Sequence, residues 1–350
     1  MNVQLPVQAG PWHNLPKIEL HVHLEGGFSL EQVAHLAKAA GEPLPKPLDE
    51  LYDFTDLDSF LSLLDWWCGL VRNPEQASGL AYDFAKFLST DNVVYAEVIV
   101  NPTHWRGLKR PDLLQAVSDG FDQAQADGFC DCRISPSLLR QQSAEEAMEL
   151  VEELDHGRPK RVVALSIDGN QAVPSAGNAR FITAFKAARE SGLGTTAHAG
   201  ESSGPEGVRS ALDELGVQRI DHGVRAVEDP ALLRRLAEEQ ITLNVCLSSN
   251  TALLYHDINR HPLPRLLEAS VPVTINTDDP MLLATTMSRE IELATSLCRL
   301  GINEVVAIMH QAATAAFCEP RRSNELHSLI DQWATDIKRH HEHPSKDSTS

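Results

Sequence analysis

The chain has 350 residues, 42% of them apolar, and its 30 Lys and Arg against 49 Asp and Glu leave a net charge of −19. That charge argues against duplex nucleic acid or an anionic membrane as partner, because phosphate recognition needs clustered cations. No apolar run reaches the length of a bilayer span, Met1–Gly10 lacks the basic and apolar regions of a secretory signal, and the six scattered cysteines read as reduced, buried thiols of a cytoplasmic enzyme.

Short β-branched runs alternate with amphipathic segments. Lys17–His23 is the first predicted strand. Residues 24–91 follow it, far more than one helix needs, and Leu30–Ala40, Asp58–Leu70 and Glu75–Thr90 read as helices there, with a Pro-rich stretch at Gly41–Pro47. Further strands are predicted at Asn92–Val100, Asp131–Leu139, Arg161–Asp168, Leu193–His198, Arg219–His222, Ile241–Cys246 and Val271–Asp278. Helical patterns at Asp112–Asp127, Ala144–Leu154, Ala179–Glu190, Pro230–Gln240 and Met287–Leu300 separate most of them, and two more helices are expected at Ile302–Cys318 and Arg321–His340. Eight strands alternating with helices predict an α/β fold, a distorted (β/α)8 barrel of TIM type. It would fill residues 1–340 as one domain, with the insert at about 30–90 a candidate lid on the C-terminal face. Residues 341–350 are polar and expected to be a disordered tail.

His21 and His23 stand one residue apart at the end of the first strand, and side chains at i and i+2 of a strand share a face. Fifteen histidines in 350 residues give roughly 0.6 such pairs by chance, so the setting must carry the argument. His198, in His198-Ala199-Gly200-Glu201, ends the fifth strand; His222, in Asp221-His222-Gly223, ends the sixth; Asp278 and Asp279, in Asn276-Thr277-Asp278-Asp279-Pro280, end the eighth. Catalytic groups of such barrels gather at the C-terminal ends of the strands. Three imidazoles and a carboxylate suit a first-row divalent ion, and zinc best fits hydrolysis because it lowers the pKa of a bound water from about 15.7 to near 7. His21, His23, His198 and Asp278 are the candidate ligands of one Zn2+ per chain. His222 then stands beside the water, able to take its proton or to hold the hydroxide in line. Glu201, if buried near the metal, can stay protonated and donate to a substrate nitrogen. The plainer alternative for Glu201 is an acid at the start of a helix near Pro205–Leu215.

These motifs, with Leu15-Pro16-Lys17 and His21-Val22-His23-Leu24-Glu25-Gly26, resemble the ordered signature of the adenosine/adenine deaminase family. The resemblance runs from about Leu15 to about Phe317 and includes Phe60–Trp67 and Val93–Val98. The paired H-x-E and P-C-x-x-C signature of the cytidine-deaminase type is absent, since the chain has no P-C-x-x-C. The resemblance implies a zinc-dependent aminohydrolase that attacks C6 of a 6-aminopurine with a zinc-bound hydroxide and releases ammonia. It implies zinc on His21, His23, His198 and Asp278, a proton from Glu201 to ring N1, assistance from His222, and Asp279 on N7. Attack at C6 places negative charge on N1, so a donor there stabilises the tetrahedral intermediate. Asp279 is expected to point away from Asp278, as neighbouring strand residues do.

Substrate choice turns on departures from the family pattern. Adenosine deaminases usually carry Asp after H-x-H-L, where it reaches the ribose; here it is Glu25, commoner in relatives acting on adenine or other purine derivatives. A family block often reading L-A-G-D-E appears as Asp168-Gly169-Asn170-Gln171, with Gly169 the candidate backbone donor to N3. The stretch Asp221–Arg225 looks like the adenine branch, whereas Asn276–Pro280 fits the adenosine branch. The expected ligand is therefore a small purine, adenosine or adenine. An N6-substituted or modified nucleoside, or another metal-dependent barrel hydrolysis, is the alternative. Phe60, Trp66 and Trp67 read as helix core that can also line a purine pocket. His104 and Trp105, after the second strand, either face the same mouth or form a surface loop, the commoner setting, and Cys246, Ser248 and Ser249 lack the histidine spacing of a nucleophile.

Overall fold

Short runs rich in β-branched residues, some with polar residues at alternate positions as in Lys17–His23, are buried on both sides, as parallel strands under helices must be. In the computed structural model, which describes residues 10–54, 57–172 and 177–342, eight such runs form one parallel sheet ordered β1 to β8. They are β1 (Lys17–His23), β2 (Val93–Val100), β3 (Asp131–Leu139), β4 (Ala164–Asp168), β5 (Gly194–Ala199), β6 (Arg219–His222), β7 (Thr242–Val245) and β8 (Val273–Ile275). The predicted TIM-type barrel is thus present, and each predicted strand has its counterpart.

The seam between β8 and β1 is closed by side chains as much as by backbone. A backbone ladder would need β8 to continue, but it ends at Ile275. Instead Asn276 Oδ1 accepts from the backbone N–H of Leu20 at 2.8 Å and of His21 at 3.1 Å. Glu19 Oε1 accepts from Thr277 N–H at 2.8 Å, and His23 N–H donates to the Asp278 carbonyl at 2.8 Å. These bonds tie the strand carrying His21 and His23 to the segment carrying Asp278 and Asp279.

The insert after β1 holds α1 (Leu30–Ala40), α2 (Leu57–Cys68) and α3 (Pro74–Thr90). Ser29 and Gln32 cap α1 reciprocally, and Gly41 in the left-handed region ends it. The helices α4 (Arg110–Ala126), α5 (Ala144–Gly157), α6 (Ile182–Glu190), α7 (Pro205–Ser210) and α8 (Pro230–Glu238) cross between later strands. Two short helices the sequence does not announce, α9 (Leu247–Asn250) and α10 (Leu263–Glu268), lie between β7 and β8. At four and six residues they are too brief to show a 3.6-residue period. The chain closes with α11 (Met287–Cys298), α12 (Ile302–Ala315) and α13 (Pro320–Glu342).

None of the cysteines is bridged, and four are buried. Among the described residues no helix is long and apolar enough to cross a membrane. The expected absence of a signal in Met1–Gly10 concerns residues that, up to residue 9, lie outside the described ones; of the tail expected to be disordered at 341–350, His341 and Glu342 are helical and residues 343–350 lie outside the described residues.

Candidate active site

Two of the barrel's functional side chains, and one glycine beside them, depend on the backbone leaving the strand geometry. His222 and Asp278 have φ of 64° and 68°, and Gly169, at 94°, also lies in the left-handed region. Non-glycine residues there are uncommon and cluster at functional sites. This conformation breaks strand alternation. It lets Asp221 and His222 both be buried inside, and it lets Asp278 and Asp279 both line one cavity. The expectation that Asp279 points away from Asp278 is therefore corrected: β8 stops at Ile275, so the period of two no longer governs residues 278 and 279.

Ligand atoms of His21, His23, His198 and Asp278 lie within 4.8 Å of one another, and all four residues are buried. His21 Nε2 is 3.2 Å from Asp278 Oδ1, His23 Nε2 is 3.4 Å from the same oxygen, and His23 Nε2 is 3.2 Å from His198 Nε2. The far side of His198 sets its tautomer. Its Nδ1 is 3.2 Å from the Ile167 carbonyl, an acceptor only, so Nδ1 carries the hydrogen and Nε2 turns a lone pair to the cluster. His21 Nδ1 lies 3.1 Å from Asp221 Oδ1, close enough for charge pairing though not aligned as a hydrogen bond. Lone pairs converging at such distances fit a divalent cation. A second set, His21, His222, Cys246 and Asp278, shares half of these groups. Burial and the nearby Asp278 push the Cys246 thiol well up, and a ligand must be a thiolate, so the histidine-rich set fits better.

Glu201 and His222 face this cluster. His222 Nε2 is 3.6 Å from Glu201 Oε1 and 3.9 Å from Asp278 Oδ2. Burial pushes the Glu201 carboxyl up, against the opposing pull of His222. The alternative role of Glu201 as a helix-start acid does not hold, because Glu206 takes it: α7 begins at Pro205 with Glu206 in its first turn, accepting from Gly204 N–H at 2.7 Å. Asp279 is pushed well up by burial and by the neighbouring Asp278 and Glu25 carboxyls, and its Oδ1 is buried with no protein partner.

Glu25 is held from the strand-two side. Its Oε1 accepts from Asn101 N–H at 2.8 Å and from the Trp105 indole at 2.7 Å, and its Oε2 is buried with no protein partner. This corrects the surface-loop expectation for His104 and Trp105, which are buried. The loop turns inward because the indole N–H has a carboxylate to meet and because His104 Nδ1 lies 2.6 Å from Asp65 Oδ1 on α2. Burial raises Glu25 from 4.5 to about 7, opposed by His104 and the Trp105 hydrogen bond. An acid whose folded pKa is raised weakens the fold as pH climbs from its unfolded value through its folded one. Glu25→Gln is therefore expected to raise stability relative to wild type by up to about 3 kcal/mol above pH 7 and by little below pH 4.5. Thermal melts of both proteins across this range check it; an advantage independent of pH would contradict it.

Glu25, Gly169, His198, Glu201, His222, Asp278 and Asp279 all line one cavity, with His23, His104 and Asp168. Phe60, Leu61 and Leu64 of α2 and Leu253 form its apolar side. The aromatic trio divides: Phe60 lines the cavity, Trp67 is buried with its indole on the Glu25 carbonyl at 3.1 Å, and Trp66 packs partly buried against the core. No Lys or Arg lines the cavity among the described residues. The residue that sequence reasoning passed over is Asp221. Its Oδ1 also accepts from Asn244 at 2.8 Å, and its Oδ2 is 3.7 Å from His198 Nδ1. Burial alone would raise this carboxyl; His21 outweighs it and holds it well below the usual range. Its position just before His222 was the available signal.

Comparison with known proteins agrees with this geometry. The family described as adenosine deaminase matches residues 16–333. An adenine deaminase of Cupriavidus metallidurans is 35% identical over 327 residues, 91% of each chain. An adenine deaminase structure from Arthrobacter aurescens superposes with a TM-score of 0.85 at 27% identity, covering 92% of this chain and 99% of that one. An amidohydrolase from Burkholderia ambifaria with bound Zn superposes with a TM-score of 0.83 at 28% identity, covering 93% and 94%. The chain belongs to the adenosine deaminase family.

Proposed function

We propose that this chain holds one Zn2+ on His21, His23, His198 and Asp278 and hydrolytically deaminates free adenine to hypoxanthine and ammonia. The observation that carries the reading is a four-ligand cluster opening into the same cavity as Glu201, His222 and Asp279. A bound zinc would supply water activation, bringing the pKa of a water to about 7. The residues supply the rest. Glu201, kept protonated by burial, gives its proton to N1 as the oxygen adds to C6. As a carboxylate it then carries the proton of the new C6 hydroxyl to the departing amino nitrogen, and it recovers its own proton from the next water to be activated. His222 orients the attacking oxygen. Asp279, whose carboxyl is held neutral, donates to N7, a ring nitrogen that only accepts. Gly169 N–H serves N3, and the helices of the insert act as a lid that keeps bulk water out.

Three observations favour adenine over its nucleoside and nucleotide. The similar proteins from Cupriavidus metallidurans and Arthrobacter aurescens quoted above are adenine deaminases. Glu25 offers a buried oxygen with no protein partner, which can receive the N9–H that adenine has and adenosine lacks. The cavity contributes carboxyls and no Lys or Arg among the described residues, which opposes a phosphate. An N6-methyl-AMP deaminase structure from Arabidopsis thaliana shares the fold at a TM-score of 0.81 and 25% identity, but among the described residues this cavity offers no Lys or Arg to a phosphate. Purified zinc-loaded protein assayed by ultraviolet absorbance with adenine, adenosine, AMP and N6-methyladenine tests the reading. The highest kcat/KM is expected for adenine; a preference for adenosine or AMP would overturn the substrate assignment.

A further inference from the structure

Behind His222, on the side away from the metal cluster, lies a line of buried polar groups that the reaction does not touch. Asn250 ends α9 and His261 follows the turn at Ile258–Arg260; both are buried. Asn250 Nδ2 is 3.1 Å from His222 Nδ1, Asn250 Oδ1 is 3.3 Å from His261 Nε2, and the backbone N–H of Leu263 donates to His261 Nδ1 at 3.2 Å. The last bond gives the line its direction. A backbone N–H can only donate, so His261 Nδ1 must present a lone pair and the ring's hydrogen sits on Nε2. That hydrogen requires an oxygen opposite, which places the Asn250 carbonyl toward His261 and its amide NH2 toward His222. With the amide reversed, His261 would need lone pairs on both nitrogens, an anion no such site supports. His222 Nδ1 therefore accepts, and its Nε2 carries the hydrogen. The groups facing that Nε2 are the carboxyls of Glu201 and Asp278, 3.6 and 3.9 Å away, and each has an oxygen that can accept whether or not the group carries a proton, which agrees.

We propose that Asn250 and His261 are positioning residues that keep the hydrogen of His222 on Nε2, so that His222 meets the attacking oxygen as a hydrogen-bond donor and does not accept the water's proton at that nitrogen. Of the two roles open to His222, this selects orientation. A buried amide serving packing alone would be satisfied either way round; here the Leu263 N–H fixes its polarity from three groups away. The role in turnover rests on the deaminase reading, whereas the position of the hydrogen does not.

The test is long-range 1H–15N correlation on 15N-histidine-labelled, zinc-loaded protein, with the His222 signals assigned by their loss in His222→Asn. Wild type is expected to show His222 with Nε2 protonated and Nδ1 bare. Asn250→Asp offers only acceptors to His222 and is expected to move the hydrogen to Nδ1. Zinc content should stay at one per chain and KM little changed, while kcat falls about 10²-fold, the usual loss of one oriented donor. A wild-type spectrum with Nδ1 protonated overturns the proposal, and so does an Asn250→Asp protein with the hydrogen moved and kcat intact. If Asn250→Asp does not fold, the wild-type spectrum decides alone. If the protein deaminates no purine, the spectrum still judges the hydrogen-bond line while the functional reading fails separately.

Discussion

Glu201→Gln is expected to keep its zinc and lose nearly all turnover, a fall in kcat of about 10³-fold or more. The substitution preserves size and burial, and no metal-ligand atom belongs to residue 201. What it removes is the transferable proton. Glu201 is a carboxyl that burial pushes toward its protonated form, 3.6 Å from His222. An amide there can still donate a hydrogen bond to N1 but cannot hand over a proton, so the negative charge arising as C6 becomes tetrahedral goes unneutralised. KM should change far less than kcat, because the lost interaction is made only as the reaction proceeds. Metal analysis with steady-state kinetics on adenine checks it. Turnover close to wild type would remove Glu201 from the role of acid.

Asp221→Asn should act on the metal rather than on the acid. Asp221 is fully buried and touches the outer nitrogens of two proposed ligands, 3.1 Å from His21 and 3.7 Å from His198. A buried carboxylate there orients the imidazoles and raises their basicity, and losing such a partner typically weakens metal binding 10- to 100-fold. The amide keeps the shape but drops the charge, and its NH2 would face the Asn244 amide that now donates to Oδ1. Competition against a chelator of known affinity reads this out: weaker zinc binding is expected, with activity recovered at high zinc. Unchanged affinity would leave Asp221 a packing residue only.

Most of the barrel was legible because β-branched runs and amphipathic stretches alternate over nearly the whole chain. The ligand cluster was legible for a related reason. His21 and His23 share a strand face, and His198 sits at another strand's end, so spacing and placement suffice. What escaped the sequence depends on departures from regular geometry. His222 and Asp278 adopt left-handed backbone, so strand alternation misplaces Asp279 and hides Asp221. Trp105 looked like a loop residue, because nothing local signals that its indole will meet Glu25 across the chain. Asn250 and His261 belong to segments too short to be periodic, and their partner His222 lies 28 residues away from Asn250 in sequence. The dual nature of α2 is likewise tertiary: Phe60 and Trp67 share a helix, yet one lines the cavity and the other supports Glu25.

One metal ion on His21, His23, His198 and Asp278 is proposed to enable deamination of adenine. Protein stripped by chelator and titrated with zinc, while the absorbance change on converting adenine to hypoxanthine is followed, tests it most directly. Stripped protein is expected to be inactive, with activity rising linearly as zinc is added and reaching a plateau at one equivalent per chain. Stripped protein that turns over adenine at the full rate, or zinc-loaded protein that leaves adenine unchanged, would contradict it.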